Sequence, residues 1–520
     1  MQLQAGQLSM IYENGFIRHI TAGKTEVVQM IYFAVRDPEW ATIPSTISKE
    51  KITKTDDSFH ITYHRLFNTD AIQMQWQVLI QGRADSTIHF EINGRALNDF
   101  QKNRIGICIL HPIKECMGNK VLVIHGDETS EESIFPTHIS PHQPFKNIAA
   151  LQWNVKDDKI ATLRFKGDVF EMEDQRNWTD NSYKTYSTPL DLPFPTWITK
   201  GEEVHQSADC SLSASNVRTA AGDPNSAKDL SSAQGPNSAV GPILAAVPVQ
   251  ISIPAIGIGR SSIRNDNYKA GLRILSAIGF SHYRVDLHLQ DPNWQTTLAE
   301  MLEEAQCLKA PLELALHIPE RDTAFLEFLQ YAPAPGQLKS ILLLEQDAPC
   351  ISNQLLKKLV PLLRRQFPGV LIGGGTDHHF TELNRSDIIT DELDFVSYPI
   401  HPQVHASDDT SLMENAAAQG YTVNTAKHKY TTRIHASPVT LQARNSSDAR
   451  QATEFAAAWT VASLETLRAA GISSITYFEA LGANGIASYD KEFIPFPLWR
   501  IFRDLTHITQ LSHIHGIVPS

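Results

Sequence analysis

Short apolar segments alternate with helical stretches between about residues 250 and 505, at a spacing of roughly 30 residues through the first five units. This spacing is typical of a strand–helix–strand crossover between parallel strands. Eight such units predict a closed (β/α)8 TIM barrel, in which the active site lies at the C-terminal ends of the strands. The predicted strands are 250–259, 282–289, 312–318, 340–348, 371–380, 394–406, 433–443 and 473–482.

The first 200 residues have a different pattern. Segments such as 58–67, 71–82 and 86–94 alternate polar and apolar residues and are rich in β-branched and aromatic side chains. Period-two alternation predicts antiparallel strands, and the lack of a strand–helix rhythm favours a β-sandwich.

A segment poor in bulky apolar residues separates the two regions. Residues 205–242 consist largely of Ser, Ala, Gly, Asn and Pro, and cannot bury enough surface to offset the entropy of ordering. We therefore expect a flexible linker there, although a functional tether is an alternative. The predicted multidomain layout is a β-sandwich at 1–203, a linker at 204–245, the barrel at 246–510 and a tail at 511–520.

Charge and composition limit the possible partners. The formal net charge is −12, which argues against nucleic acid or an anionic membrane as a partner. We find no basic segment followed by an apolar one at the start, and no apolar run of about 18 residues. The five cysteines show no CxxC spacing, which favours reduced thiols and a cytoplasmic protein.

Strand alternation indicates which polar side chains face the barrel axis. In 282–289, Arg284, Asp286 and His288 share one face, and the other face is apolar. In 312–318, Glu313 and His317 take the inward face in the same way. Such charges are costly unless they are paired or functional. An internal ion network is one interpretation, and a binding site that includes His288 and His317 near the mouth is the other.

Two glutamates follow apolar strands at the predicted mouth. Glu345 ends the fourth strand and Glu479 the eighth, the latter on the same strand face as Tyr477. Barrel enzymes place acids and bases at such positions, and the fourth and eighth strands lie opposite each other. A solvated loop residue or an arginine partner is the alternative for each glutamate.

Further polar residues follow the fifth to seventh strands. Asp377 and His378 come after three glycines, Gln403 and His405 lie in a His- and Asp-rich loop, and Arg444 follows the seventh strand. The Asp-His-His run lacks an HxH or HExxH spacing, so we predict no metal and no other cofactor. The polar motif at 173–184 has one large aromatic residue; it could form a lid, but we favour an interface between sandwich and barrel.

Several long segments resemble the D-apionate lactonase family of sugar-acid catabolism. They are LHPIKECMG (110–118), FPTHISPHQPFKNI (135–148), FEMEDQRNWTDNSYKTY (170–186), GGGTDHHFTELNR (373–385), HPQVHASDD (401–409), HASPVTLQAR (435–444) and ITYFEALGANG (475–485). The resemblance covers most of the chain outside 205–242. It implies hydrolysis of D-apionolactone to D-apionate, and a sandwich followed by a barrel of glycosidase-like shape.

Opening a lactone requires a base for the attacking water and a donor for the developing oxyanion. We expect Glu345 or Glu479 to be the base, and His317 or His405 the donor. The expected substrate-binding residues are Asp286, His288, Asp377, Gln403, Arg444 and Tyr477. The partner would be a small sugar lactone. One alternative is a glycoside hydrolase that uses both glutamates, and another is a sugar-binding module without catalysis.

Overall fold

The described residues form a β-sandwich followed by a closed parallel barrel. The computed structural model describes residues 1–156, 159–214, 253–262, 264–319, 323–331, 333–444 and 446–507. The predicted fold class, N-terminal antiparallel sheets and then a TIM barrel, is confirmed.

Two antiparallel sheets make up the sandwich. The elements are β1 (Gln2–Ala5), β2 (Leu8–Glu13), β3 (Phe16–Ala22), β4 (Thr25–Arg36), β5 (Ser45–Lys54), β6 (Phe59–Asn68), β7 (Gln73–Arg83), β8 (Thr87–Ala96), β9 (Phe100–Lys102), β10 (Arg104–Pro112), α1 (Ile113–Cys116), β11 (Lys120–His125), β12 (Ser130–Ile134), β13 (Ile148–Val155), β14 (Lys159–Lys166), β15 (Glu171–Asp174), β16 (Ser182–Tyr186), β17 (Thr196–Ile198) and β18 (Glu203–Ala214). Sheet 1 has the order β1-β2-β3-β4-β10-β16-β15, and sheet 2 the order β12-β11-β13-β14-β18-β8-β7-β6-β5.

Alternation along the strands builds the sandwich core. In β7 the residues Met74, Trp76, Val78 and Ile80 are buried, and the residues between them are less so. Phe33 of sheet 1 contacts Trp76 of sheet 2, with ring centroids 5.1 Å apart. Burying aromatic side chains of this size contributes strongly to the stability of such a core.

The sandwich extends further along the chain than predicted. The predicted linker began at residue 204, but β18 runs from Glu203 to Ala214 and pairs with both β14 and β8. Ala208, Cys210 and Leu212 alternate into the core, so small apolar residues provide the burial that composition alone did not reveal. Residues 215–245 and 511–520 lie outside the described residues.

The barrel closes through eight parallel strands among the described residues, with β26 pairing with β19. The strands are β19 (Ala255–Gly259), β20 (Tyr283–His288), β21 (Leu312–Ile318), β22 (Leu338–Glu345), β23 (Leu371–Gly375), β24 (Phe395–Ile400), β25 (Arg433–Val439) and β26 (Ser474–Tyr477). A small hairpin, β27 (Ala487–Tyr489) and β28 (Phe493–Pro495), follows β26. Seven of the eight barrel strands lie within the segments predicted for them, and β22 begins two residues before its predicted segment, 340–348.

Helices surround the barrel. They are α2 (Tyr268–Leu275), α3 (Trp294–Leu308), α4 (Thr323–Tyr331), α5 (Asn353–Gln366), α6 (Phe380–Arg385), α7 (Asp409–Asn415), α8 (Ala418–Lys429), α9 (Glu454–Ala469) and α10 (Pro497–His507). Ser352 caps α5 by accepting a hydrogen bond from the Leu355 amide, as its position predicts. Thr453 caps α9 by accepting a hydrogen bond from the Phe455 amide, directly after a separate 3-10 turn.

The long connection between β24 and β25 carries two helices, α7 and α8. Both contact the sandwich domain. At α7, Arg18 of β3 donates to Asp408 at 3.2 Å and Gln29 of β4 donates to Glu414 at 3.1 Å. At α8, Thr425 accepts a hydrogen bond of 3.0 Å from the Ile139 amide. This connection therefore packs sheet 1 against the barrel. In the described part of the chain, no helix is long and apolar enough to cross a membrane.

Candidate active site at the barrel mouth

A cavity of about 530 Å³ opens where β20 to β23 end. His288, His317, Glu345, Asp377 and His378 contribute to its lining. They come from four successive strand ends or the loops that follow them. The predicted meeting of ionisable residues at the C-terminal ends of the strands is therefore observed for these side chains.

Beside this cavity, two arginines and two aspartates form a closed ring of ion pairs. Arg284 Nη2 lies 2.8 Å from Asp286 Oδ1 and 2.9 Å from Asp377 Oδ1. Arg444 completes the ring, with Nη2 at 2.8 Å from Asp286 Oδ2 and Nη1 at 2.7 Å from Asp377 Oδ2. We call these four residues the Arg–Asp ring. Each carboxylate is thus shared between two guanidinium groups.

The ion pairs of the ring favour the charged forms of Asp286 and Arg284. Burial opposes ionisation of Asp286, yet Arg284 and Arg444 hold the pKa of its carboxyl well below the usual range. Burial likewise opposes the charge of Arg284, but Asp286 and Asp377 raise the pKa of its guanidinium. A fixed pattern of charges therefore lies at the base of the cavity.

His317 is held by this ring. Its Nε2 lies 3.2 Å from Asp286 Oδ1, and its ring stacks on His288 with centroids 3.9 Å apart. His317 is 8% exposed. Burial, together with the neighbouring His317, lowers the pKa of His288, which favours its neutral form. The stacked histidines thus present imidazole nitrogens to the cavity from a fixed orientation.

Glu345 is anchored through one oxygen. Its Oε2 accepts a hydrogen bond of 2.8 Å from the amide of Ser352, the residue that caps α5. The amides at the start of a helix stabilise a carboxylate. Glu345 is only partly buried and lines the mouth cavity, so it can contact a bound molecule there.

Glu479 occupies a different position. It is 3% exposed and accepts hydrogen bonds from the amide of Ser262 and, at 2.9 Å, from its hydroxyl. Burial raises the pKa of Glu479, and Ser262 with Arg264 and Arg444 only partly offsets this. Glu479 does not line the mouth cavity. Of the two predicted glutamates, the structure therefore places only Glu345 in the lining of the mouth cavity.

Two other predicted residues lie away from the mouth cavity. His405 Nδ1 lies 2.5 Å from Asp180 Oδ2 of the sandwich, in the domain interface. Gln403 donates to Asp448 Oδ2 at 2.8 Å and to the Leu441 carbonyl at 2.9 Å. The loop after β24 is drawn toward the sandwich, so its polar residues make structural contacts.

Tyr477, one of the predicted substrate-binding residues, packs between the barrel strands and the outer helices and does not line the mouth cavity. It is 3% exposed, its ring lies 5.1 Å from that of Phe502 on α10, and its hydroxyl is 3.3 Å from that of Ser463 on α9. Tyr477 shares the outward parity of Ile475, which belongs to the core between strands and helices.

Glu313 lies below the ring, among small hydroxyl side chains. It accepts hydrogen bonds from Ser437 and, at 3.1 Å, from Thr476. Arg284 donates to the carbonyl and, at 3.1 Å, to the hydroxyl of the same Ser437. The internal ion network expected as an alternative therefore exists in part: Arg284 pairs with Asp286, and Glu313 connects to it through Ser437.

The motif at 173–184 joins the two domains, in agreement with the interface interpretation. Asp180 accepts a hydrogen bond of 2.7 Å from Asn415, and Thr179 donates to the His401 carbonyl at 2.9 Å. The Trp178 ring lies 5.1 Å from that of His379. Burial, with nearby histidines, lowers the pKa of His379 to about 4, so this ring is neutral at pH 7.

Removal of the Asp180 carboxylate is expected to weaken the domain interface. In Asp180→Ala the Asn415 amide and His405 lose a buried acceptor, which costs about 1–3 kcal/mol. We expect a lower melting temperature by calorimetry. Asp191→Ala removes an exposed pair with Lys146 and is the matched control, which should melt as the parent does. Equal melting temperatures for both variants would contradict the assignment.

Sequence reasoning missed the residues that support this site. Ser352 and Ser262 fix the two glutamates, and Gln346 lies 3.4 Å from His288. Gln346 directly follows Glu345, so its position after a strand was a usable signal. Ser352 was recognisable as a helix cap but not as the partner of Glu345, and Ser262 carried no such signal.

Comparison with known families supports the same division of the chain. The family profile described as D-apionate lactonase, N-terminal domain, matches residues 1–215. The profile described as D-apionate lactonase, TIM barrel domain, matches residues 256–447 and 442–510. The chain belongs to the D-apionate lactonase family. The predicted family and the prediction of a lactone-hydrolysing enzyme are thereby confirmed.

A curated relative agrees with this family assignment. The D-apionate lactonase of Brucella anthropi is 30% identical over 444 residues, which span 82% of this chain and 70% of the relative. Solved structures are much more distant. A family 39 glycoside hydrolase from Bacteroides cellulosilyticus WH2 gives a TM-score of 0.37 at 10% identity, over 80% of this chain and 81% of that one. An endo-beta-1,4-mannanase from Thermotoga petrophila gives a TM-score of 0.35 at 11% identity, over 50% of this chain and 77% of that one.

Proposed function

We propose that this member of the D-apionate lactonase family hydrolyses D-apionolactone to D-apionate at the barrel mouth. The observation that carries the proposal is the mouth cavity itself, where Glu345, His317 and Asp377 meet beside the Arg–Asp ring. A base, an imidazole donor and fixed charges at one cavity are what hydrolysis of a cyclic ester requires.

In this proposal Glu345 is the general base. One of its oxygens is held by the Ser352 amide, which fixes the direction of the carboxylate. The other oxygen takes a proton from water as the water attacks the lactone carbonyl. Of the two glutamates expected from sequence, Glu345 is favoured because it lines the cavity, whereas Glu479 is 3% exposed and holds the Ser262 loop.

His317 is the donor in the same step. Because Asp286 accepts at Nε2, the imidazole keeps a fixed orientation, and Nδ1 has no hydrogen-bonding partner among the described residues. From Nδ1 the imidazole donates a hydrogen bond to the developing oxyanion or to the leaving ring oxygen. The ring oxygen takes its proton from His317 and the proton of the attacking water passes to Glu345. Lactone and water thus give one hydroxyl, one carboxylate and one proton released to solvent, which is the acid that the assay measures.

Asp377, His288 and Arg444 are proposed to hold the sugar hydroxyls. Asp377 and His288 line the cavity, and Arg444 is anchored to Asp377 at 2.7 Å while remaining partly exposed. The ionised carboxylate and the guanidinium accept and donate hydrogen bonds, respectively, which suits a polyhydroxylated substrate.

The substrate assignment is tested by comparing lactones. We expect faster acid release, measured by pH-stat, from D-apionolactone than from D-glucono-1,5-lactone or D-galactono-1,4-lactone. Aryl glycosides, tested in parallel, should not be cleaved. Preference for one of the commoner lactones would contradict the substrate, and cleavage of aryl glycosides would contradict the reaction class.

Chelators are expected to leave the rate unchanged. One ligand atom each from Asp286, His317 and Asp377 falls within a mutual 4.8 Å, a spacing that could hold a metal ion. However, Arg284 and Arg444 already pair with both carboxylates, and their positive charges oppose a cation there. Activity after EDTA treatment and gel filtration should equal that of untreated enzyme; a loss restored by a divalent metal would contradict this prediction.

The glycoside hydrolase alternative required two carboxyls facing one bound sugar. Of the two predicted glutamates, only Glu345 lines the mouth cavity, so this pair does not supply two carboxyls to one bound sugar there. We further propose a cytoplasmic location, because all five cysteines are free thiols.

A further inference from the structure

A second cavity, of about 410 Å³, lies between the sandwich and the barrel. Its floor is the outer face of sheet 1, formed by β4, β10 and β16. Its far wall is formed by Val404 and His405 of the barrel and by Trp178 of the interface motif. The volume falls in the range of small-molecule sites, and both domains contribute to the lining.

Neighbouring strands set two arginines side by side on this floor. In the register of β4 and β10, Arg36 lies directly opposite Arg104, and Ala34 directly opposite Gly106. All four residues line the cavity. Because Ala34 and Gly106 have little or no side chain, they leave space next to the two guanidinium groups. Like charges directly opposite each other in a sheet are destabilising, so this arrangement calls for an anion.

Neither arginine has an acidic partner. Among the described residues, no carboxylate oxygen lies within 4.0 Å of the guanidinium nitrogens of Arg36 or Arg104, although other lysines and arginines of the sandwich have such partners. Arg104 is 5% exposed and donates only to backbone carbonyls, and its buried Nε has no hydrogen-bond partner. Burial lowers the pKa of Arg104, and the more distant Tyr186, Glu171 and Asp168 only partly offset this.

Lys184, by contrast, is paired. It lies 2.7 Å from Glu173, which also accepts a hydrogen bond of 2.7 Å from Trp178. Arg385 is a further cation in the lining, and Glu173 is the sole carboxylate among the described residues that line it. The cavity therefore carries an excess of positive charge concentrated at the Arg36 and Arg104 end.

Aromatic side chains surround these cations. The Trp40 and Phe194 rings meet edge to face at 5.2 Å, and the Arg104 guanidinium lies 4.8 Å from the Phe194 centroid. Two further aromatic residues line the cavity, Tyr186 of β16 on the floor and Trp178 on the far wall. Flat amphipathic rings pack against the C–H faces of a carbohydrate, while guanidinium groups bind a carboxylate through paired hydrogen bonds.

We propose that the interdomain cavity is a binding site for a sugar acid, with the carboxylate between Arg36 and Arg104 and the carbohydrate body against the surrounding aromatic rings. This site is separate from the mouth cavity and does not depend on the lactone chemistry proposed there. A bound anion would remove the repulsion between the two arginines and connect the two domains.

The test measures binding of D-gluconate and D-glucuronate to the full chain by calorimetry and by tryptophan fluorescence. We expect saturable binding to the parent, and a dissociation constant at least tenfold higher in Arg36→Met and in Arg104→Met. Arg36 is half-buried, and its guanidinium makes one hydrogen bond, to the Trp40 carbonyl, so Arg36→Met remains informative if Arg104→Met fails to fold.

Two variants and two ligands serve as controls. Arg83→Met removes an exposed arginine of sheet 2 and should bind as the parent does, as should Arg444→Met at the barrel mouth. Sorbitol, which lacks the carboxylate, and inorganic phosphate, which lacks the carbohydrate, should bind more weakly than D-gluconate.

Several results would overturn the proposal. Parent-like binding in Arg36→Met would show that the arginine pair does not bind the carboxylate. Loss of binding in Arg444→Met would show that the ligand binds at the barrel mouth. Sorbitol or phosphate binding as tightly as D-gluconate would reject a sugar acid as the ligand class. None of these results bears on lactone hydrolysis, which is measured separately by acid release.

Discussion

Replacing Glu345 by glutamine is expected to lower kcat by about 10²–10⁴-fold, the usual contribution of a general base. Glutamine keeps an oxygen that can accept from the Ser352 amide, so the start of α5 is preserved. Its amide cannot remove a proton from water. The measurement is acid release from D-apionolactone at saturating substrate, with circular dichroism as the check on folding.

Two further variants make this result specific. Glu327→Gln alters an exposed glutamate on α4 and should keep the parental rate. Glu479→Gln keeps an acceptor for Ser262 and should retain activity within about tenfold, because Glu479 supports a loop in our proposal. A kcat for Glu345→Gln within twofold of the parent would reject Glu345 as the base. If kcat fell by more than a hundredfold in Glu479→Gln alone, Glu479 would be the base instead.

Loss of Arg284 is expected to produce the largest change in stability. Arg284 is 1% exposed and bridges Asp286 and Asp377 at 2.8 and 2.9 Å. In Arg284→Met both carboxylates lose one of their two guanidinium partners inside the barrel, and breaking a buried ion pair from one side costs about 3–5 kcal/mol. We expect a correspondingly lower urea midpoint for the barrel transition.

The control for Arg284→Met is Arg433→Met, which removes an exposed arginine at the start of β25. Its free energy of unfolding should stay within about 0.5 kcal/mol of the parent. An unchanged urea midpoint in Arg284→Met would show that the Arg–Asp ring does not stabilise the barrel.

The same pairing predicts how stability depends on pH. The pKa of Asp286 is well below its usual range in the folded protein, so its contribution is fully present above the unfolded value of about 3.9 and is lost as the pH falls. The parent should therefore lose stability from about pH 5 downward. Arg284→Met should lose less over the same interval, because the depressed pKa depends first on Arg284.

The strand segments of the barrel were predictable because they are short runs of mainly apolar or alternating residues that recur between helical stretches. Burial of these runs is dictated by local composition, and α5 begins directly after the capping residue Ser352 in sequence as in structure. The inward faces of 282–289 and 312–318 were also predictable, since alternation in a strand fixes them.

The sequence pattern did not predict the position of a side chain where a residue distant in sequence binds it. His405 follows a strand as a catalytic residue would, yet Asp180, 225 positions away, holds it in the interface. Tyr477 lies on the predicted strand, but its side chain points out of the barrel and packs against Ser463 of α9 and Phe502 of α10. β18 was hidden because small residues complete a core whose larger members come from other strands.

The amino-acid sequence by itself determined the two-domain plan, the eight barrel strands and the ends at which polar residues gather. These follow from periodicity and burial, which act over a few residues at a time. Only the tertiary structure decided that Arg284, Asp286, Asp377 and Arg444 form a closed ring, and that Glu345 lines the mouth while Glu479 holds a loop. Ion pairs and hydrogen bonds depend on separations of about 3 Å, which chain folding sets and local pattern does not.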